Sequence, residues 1–244
     1  MLEVIALALL PIIVLIYYVY QQDEAQREPA RMIILGFLLG CLSAPGSFLI
    51  SVPSEHIGLY TENVRSTWDA FRVAFFGAAI PEETAKLFFL WLLLRKNRFF
   101  DERVDGIVYA VSVGMGFAAV ENMLYLFDAG ETWVDTGVVR AVLSVPGHFS
   151  YAVLMGYYYS LHHFNKSRFR AAGLKLWLYP VLAHGIYDLI CFVGDVHGDL
   201  FGVLTIILLL FCFMVARLAV RSMKKHLIAD VSESSFVDNV DVQE

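Results

Sequence analysis

The sequence predicts an all-α, polytopic membrane helix bundle of about seven transmembrane helices, with the N-terminus outside and the C-terminus cytoplasmic. Three observations predict it. Of 244 residues, 58% are hydrophobic and only 17% are charged, a composition that does not suit a water-exposed surface. The apolar residues fall into seven windows, 2–20, 32–50, 70–94, 104–127, 140–161, 172–193 and 200–220. Each holds roughly 19 to 25 residues, enough to cross a hydrocarbon layer about 30 Å thick. Finally, the cations alternate between connections. One set carries Arg27 and Arg31; then Arg95, Lys96, Arg98 and Arg103; then Lys166, Arg168, Arg170 and Lys175; then Arg217, Arg221, Lys224 and Lys225. The opposite set has only Arg65, Arg72 and Arg140. Short cytoplasmic loops collect Lys and Arg, so the first set lies inside.

The first window lacks a basic leader and a small-residue cleavage site, carries Glu3, and ends in Tyr17, Tyr18 and Tyr20, which suit a membrane interface. It reads as a retained span. The third is interrupted by Gly77 and Pro81, which predicts either a kinked helix or a re-entrant hairpin followed by a shorter helix. In the fourth, Gly106, Ala110, Gly114 and Ala118 recur every four residues, a stripe that lets a neighbouring helix approach closely. Residues 1–225 thus form one integral membrane domain. Residues 226–244, with Asp230, Glu233, Asp238, Asp241 and Glu244 and no apolar periodicity, read as a disordered acidic cytoplasmic tail. Cys41, Cys191 and Cys212 all lie in apolar segments, so no disulfide framework or metal knuckle is indicated. A net charge of −6 without a basic stripe argues against nucleic acid as a partner. The lipid bilayer is the implied surrounding, and the lack of an internal repeat counts against a repeat-built transporter.

Ionisable groups in hydrocarbon are expensive, so each needs a partner or a purpose. They are Glu82, Glu83 and Lys86 in the third window, Glu121 in the fourth, His148 in the fifth, and His184 with Asp188 in the sixth. Counted from the outer end of each span at about 1.5 Å per residue, Glu82, Glu121, His148 and His184 lie roughly 9 to 18 Å deep. Four helices therefore bring acids and imidazoles to one layer. Glu82 and Glu83 stand four and three residues before Lys86, so either can pair with it on one helix face. One pair leaves a second carboxylate free for general acid or base work. Glu121 with Asn122 reads either as interhelical hydrogen-bond glue or as part of a metal or water-activating cluster. Asp105, beside Arg103, reads as a structural cap. Two neutral imidazoles with one carboxylate form a ligand set that zinc accepts, leaving a position open for water. Asp188, one turn after His184 on the same face, can orient that imidazole or share in ligation. There is no HExxH sequence, so a metal site would have to be assembled across helices. His56, His162, His163, His197 and His226 read as solvated.

The residues Pro81-Glu82-Glu83-Thr84-Ala85-Lys86, Asp105-Gly106-Ile107-Val108-Tyr109, Glu121-Asn122-Met123-Leu124-Tyr125-Leu126, His148 and His184-Gly185-Ile186-Tyr187-Asp188, in that order, closely resemble the PrsW family of intramembrane proteases. The likeness covers most of the chain and extends, more distantly, to the CAAX prenyl protease superfamily. It implies a multi-pass protease of the cytoplasmic membrane that makes an outer-side cut in a membrane-anchored protein such as an anti-sigma factor. Carried over by position, the functional residues are Glu82, Glu83, Glu121, His148 and His184, supported by Lys86, Asn122 and Asp188.

Peptide hydrolysis inside a bilayer needs a wet cavity, an activated water and stabilisation of the oxyanion. The favoured version has Glu121, His148 and His184 hold a divalent metal, zinc by its chemistry. Glu82 or Glu83 then takes a proton from water, and Lys86 tunes the pair. A metal-free version lets a glutamate and a histidine activate water directly. Two rival classes remain open at this stage. A proton-coupled membrane transporter uses the same buried acids and imidazoles, and a haem-binding scaffold could use His148 and His184 as axial ligands.

Overall fold

The computed structural model describes residues 2–22, 27–165 and 170–241, with the backbone alone at 201 and 231–241. Among them there is no strand. The helices are α1 (Leu2–Gln22), α2 (Ala30–His56), α3 (Thr67–Arg72), α4 (Ile80–Leu94), α5 (Arg103–Asp128), α6 (Trp133–Val142), α7 (Ser144–Phe164), α8 (Ala172–Val196) and α9 (Phe201–Asp241). Six stretches are long and apolar enough to cross a membrane: α1, α2, α5, the segment containing α7, α8 and most of α9. The third predicted window, 70–94, falls outside that set; it carries Glu82, Glu83 and Lys86.

That third window is an unbroken helical unit. Ser66 caps α3 by accepting from the Asp69 amide at 3.1 Å. A π-helical turn, Val73–Ala79, then joins α3 to α4. In this turn the Ile80 N–H bonds to the Phe75 carbonyl five residues back. Pro81 follows at once, and a proline ring cannot sit against a carbonyl four residues back in a regular helix. The wider turn receives it without ending the helix, so the segment runs on as one helix with a widened turn and not as a re-entrant hairpin.

The centre of the molecule is α5, whose side chains are buried almost without break from Val104 to Ala119. It packs against α7 on one side and α2 on the other. The four-residue stripe explains the first contact. A methyl group added at Gly114 would stand 2.7 Å from the Ala152 Cβ, and one added at Gly156 would strike the backbone of Gly106 and Ile107. The α2 contact uses a different row, Gly40 against Val113 and Gly116 against the Phe37 carbonyl. This second close approach is not part of the predicted stripe. On the outside, α1, α2 and α9 expose Leu10, Leu49, Leu210 and Phe213, an apolar belt that fits lipid.

Two sequence expectations change here. The predicted fifth span, 140–161, is divided at Leu143: Arg140 sits on the short α6, and α7 begins at Ser144. His226, read as solvated, is buried with Nε2 3.0 Å from the Tyr157 carbonyl. The backbone of α9 runs on as helix to Asp241; residues 242–244 lie outside the described ones. Asp230 accepts from the backbone amides of Arg103 and Val104 at 3.3 and 2.9 Å. These are amides of the first turn of α5, which no earlier carbonyl within the helix can reach. Asp105 behaves as the cap expected of it, accepting from the Asp101 and Glu102 amides at 3.0 and 2.6 Å.

Candidate active site

α4, α5, α7 and α8 bring the predicted ionisable residues into one connected cluster. Lys86 donates to Glu83 Oε1 at 2.7 Å and stands 3.5 Å from Glu82 Oε2. Its third contact is His148 Nδ1 at 3.2 Å. An ammonium can only donate, so Nδ1 accepts and the His148 proton lies on Nε2. That nitrogen donates to Glu121 Oε2 at 2.7 Å. Across the cluster, His184 Nδ1 donates to Glu83 Oε1 at 2.9 Å. Its Nε2 faces Asp188 Oδ2 at 3.3 Å and Glu82 Oε2 at 3.8 Å.

Packing fixes these side chains. Lys86 lies over the Phe117 ring, 3.9 Å from its centre, a favourable seat for a cation stripped of water. Tyr151 stacks on His184 with ring centres 5.1 Å apart, and the two imidazoles stand edge to face at 5.2 Å. Trp177 donates from Nε1 to Thr84 Oγ1 at 2.9 Å, which holds α8 against α4 and sets His184 opposite the paired glutamates. Glu83, 1% exposed, has one oxygen shared by Lys86 and His184, and its buried Oε2 has no hydrogen-bond partner among the described residues.

Arg140 is the residue that sequence reasoning missed. It donates from Nη2 to Glu121 Oε2 at 2.8 Å and from Nε to Asn122 Oδ1 at 2.7 Å, while Asn122 donates to the Ala8 carbonyl at 3.2 Å. A signal was available. Arg140 is one of only three cations in connections otherwise stripped of them, and an arginine kept on the depleted side needs a reason.

A cavity of about 500 Å³ opens beside the histidines, lined by Glu121, Arg140, Tyr151, Tyr187 and Asp188. It extends to Asp135, on α6, and Asp195, near the end of α8. The cluster is therefore reached from the end of the bundle where the cation-poor connections lie. The structure brings Glu82, His148 and His184 together so that one ligand atom from each lies within 4.8 Å of the others. Glu121, the carboxylate assigned to the metal from sequence, instead has its Oε2 between Arg140 and His148.

Fold and site define a class: a multi-pass membrane protein with a buried acid and imidazole centre beside a cavity, an arrangement suited to activating water. The chain belongs to the PrsW family of intramembrane metalloproteases, whose profile matches residues 28–217. Its relatives include several bacterial proteins named Protease PrsW. That of Bacillus subtilis is 38% identical over 192 residues, 78% of this chain and 83% of its own. That of Geobacillus kaustophilus is 33% identical over 202 residues, covering 83% and 85% of the two chains. The Clostridioides difficile protein is 32% identical over 195 residues, covering 79% and 80%. No solved structure matches the chain. The protein is thus a multi-pass intramembrane peptidase of the cell membrane.

Proposed function

We propose that the chain is a metal-dependent endopeptidase making an outer-side cut in a membrane-anchored regulatory protein, with an anti-sigma factor as the model substrate. The observation that carries the metal is a charge imbalance. Glu82, Glu83, Glu121 and Asp188 set four carboxylates against two fixed cations, Lys86 and Arg140. Charge withdrawn from water is tolerated only when matched, and with all four ionised and His184 neutral a divalent cation would supply the two missing charges. The position is equally specific. With a neutral His184 whose Nδ1 proton goes to Glu83, its Nε2 is an acceptor facing Glu82 Oε2 at 3.8 Å and Asp188 Oδ2 at 3.3 Å, and a cation there would satisfy all three.

The donor set fits zinc: Glu82, His184 and His148 would hold it, His148 through the Nδ1 lone pair once Lys86 releases it, with Glu121 holding the His148 Nε2 proton and Glu83 orienting His184 from behind. A zinc ion would polarise the scissile carbonyl and acidify a water at neutral pH. The chain's own groups do the rest. Glu83 is locked by Lys86 and His184, so it positions rather than reacts. Glu121 faces the cavity, and we assign it the proton taken from the attacking water and returned to the leaving amine. Arg140 and Asn122 hold Glu121 in place. The guanidinium lines the same wall, where it can stabilise charge developing on the carbonyl oxygen.

The test strips the purified protein with a chelator, verifies the loss of metal, and follows cutting of a co-reconstituted single-span substrate. Cutting should vanish and return with added zinc. Full activity in verified metal-free protein sinks the metal proposal and leaves direct activation of water by a glutamate and a histidine.

A further inference from the structure

We infer that a groove between α7, α8 and α9 holds one anionic phospholipid, its phosphate between Arg221, Lys225 and Lys175 and its acyl chains along the apolar length of the groove. The groove has a volume of about 390 Å³ and is separate from the catalytic cavity. Between the two runs a packed wall of Tyr151, Leu154, Ala183 and Val215, with Tyr187 and Phe211 against it.

The polarity of the groove changes along its length in the way a lipid does. On α9 its lining passes from Phe211, Met214, Val215 and Leu218 to Arg221, Ser222 and Lys225. These residues recur at helical spacing and mark one face of about 21 Å, at 1.5 Å per residue. The facing wall changes similarly, from Leu154, Leu182 and Ala183 to Tyr157, Tyr158 and Tyr179. The rings of Tyr158 and Tyr179 meet edge to face at 5.0 Å, and the Lys175 ammonium stands 5.9 and 5.8 Å from their centres. Aromatic rings and cations together mark the headgroup level of a bilayer. Among the described residues, neither Arg221 nor Lys225 has an acidic side chain within ion-pair distance. Both are exposed, and both line the polar end. An anionic phosphate supplies the missing charge, and a zwitterionic headgroup supplies it poorly.

The inference rests on the membrane fold and not on the peptidase reading. Full-length protein is reconstituted in nanodiscs of equal parts phosphatidylcholine and phosphatidylglycerol, released, and examined by native mass spectrometry. One retained phosphatidylglycerol per chain is expected. Arg221→Gln and Lys225→Gln should each lower its retention about fivefold, the effect of one cation beside an anionic headgroup. Met214→Trp, which fills the apolar stretch, should lower it with the cations intact. Lys96→Gln with Arg98→Gln, at the same end of the bundle, should leave it unchanged. Added inorganic phosphate should not displace the lipid. Equal retention of the two lipids, equal loss in the Lys96 and Arg98 variant, or displacement by phosphate overturns the proposal. So does capture of a protein chain, and no phospholipid, by a photoreactive side chain placed at position 218.

Discussion

Each ionisable side chain in the cluster does a different job, and single substitutions should separate them. Glu121→Gln is expected to lower cutting by roughly 10²–10⁴-fold, the usual contribution of a positioned acid or base, while bound zinc stays stoichiometric. Glu82→Gln and His184→Ala should lose zinc and cutting together; metal analysis beside a cleavage assay distinguishes the two patterns. If Glu121→Gln cuts normally, the proton belongs to another carboxylate. Lys86→Met removes the cation that Glu82 and Glu83 share. It should cost roughly 3–5 kcal/mol, as when one partner of a buried ion pair is deleted, measured by unfolding in detergent. The seven ionisable groups were legible in the sequence because charge in an apolar window is conspicuous. Their roles were not. Glu82 and Glu121 look alike on depth alone, and only side-chain direction shows that Glu82 lies within 4.8 Å of a ligand atom of each histidine while Glu121 is shared by Arg140 and His148. Arg140 escaped notice because it lies at a window's edge, where a cation costs little.

At the scale of elements, apolar length was a sufficient guide to the long helices, and four-residue spacing anticipated the α5 and α7 contact at Gly114 and Gly156. Pro81 flagged the third span without disclosing its form. A proline is compatible with a break, a kink or a widened turn, and the choice depends on what packs around it. The π turn at Val73–Ala79 matters because it sets the rotation of everything after it. Deleting Phe76 should restore ordinary helical register and swing Glu82 and Glu83 by about 100° around the helix axis. The expected result is a folded, membrane-inserted protein with no cutting and no bound zinc. Retained zinc in such a variant would show that the turn does not place the site. The division at Leu143 was hidden for a simpler reason: hydropathy averaged over a window does not register a one-residue interruption of the helix.

For the whole molecule, the alternating basic connections predict which membrane face each end of the bundle meets. Glu62→Cys, in the connection between α2 and α3, should react with an impermeant thiol reagent on intact cells. Lys96→Cys, between α4 and α5, should react only after permeabilisation; the opposite pattern would invert the orientation and move the cut to the inner side. The bond from Asp230 to the first amides of α5 bears on how such a protein can be handled. Asp230 fastens α9 to the helix that everything else surrounds, so this part of α9 belongs to the frame. A chain stopped after Lys225 keeps every residue of the site yet strips two backbone donors of their acceptor. It should accumulate poorly and melt earlier than one stopped after Asp241, as quantitative blotting and thermal unfolding would show. Equal behaviour of the two would mean that water replaces the carboxylate without loss.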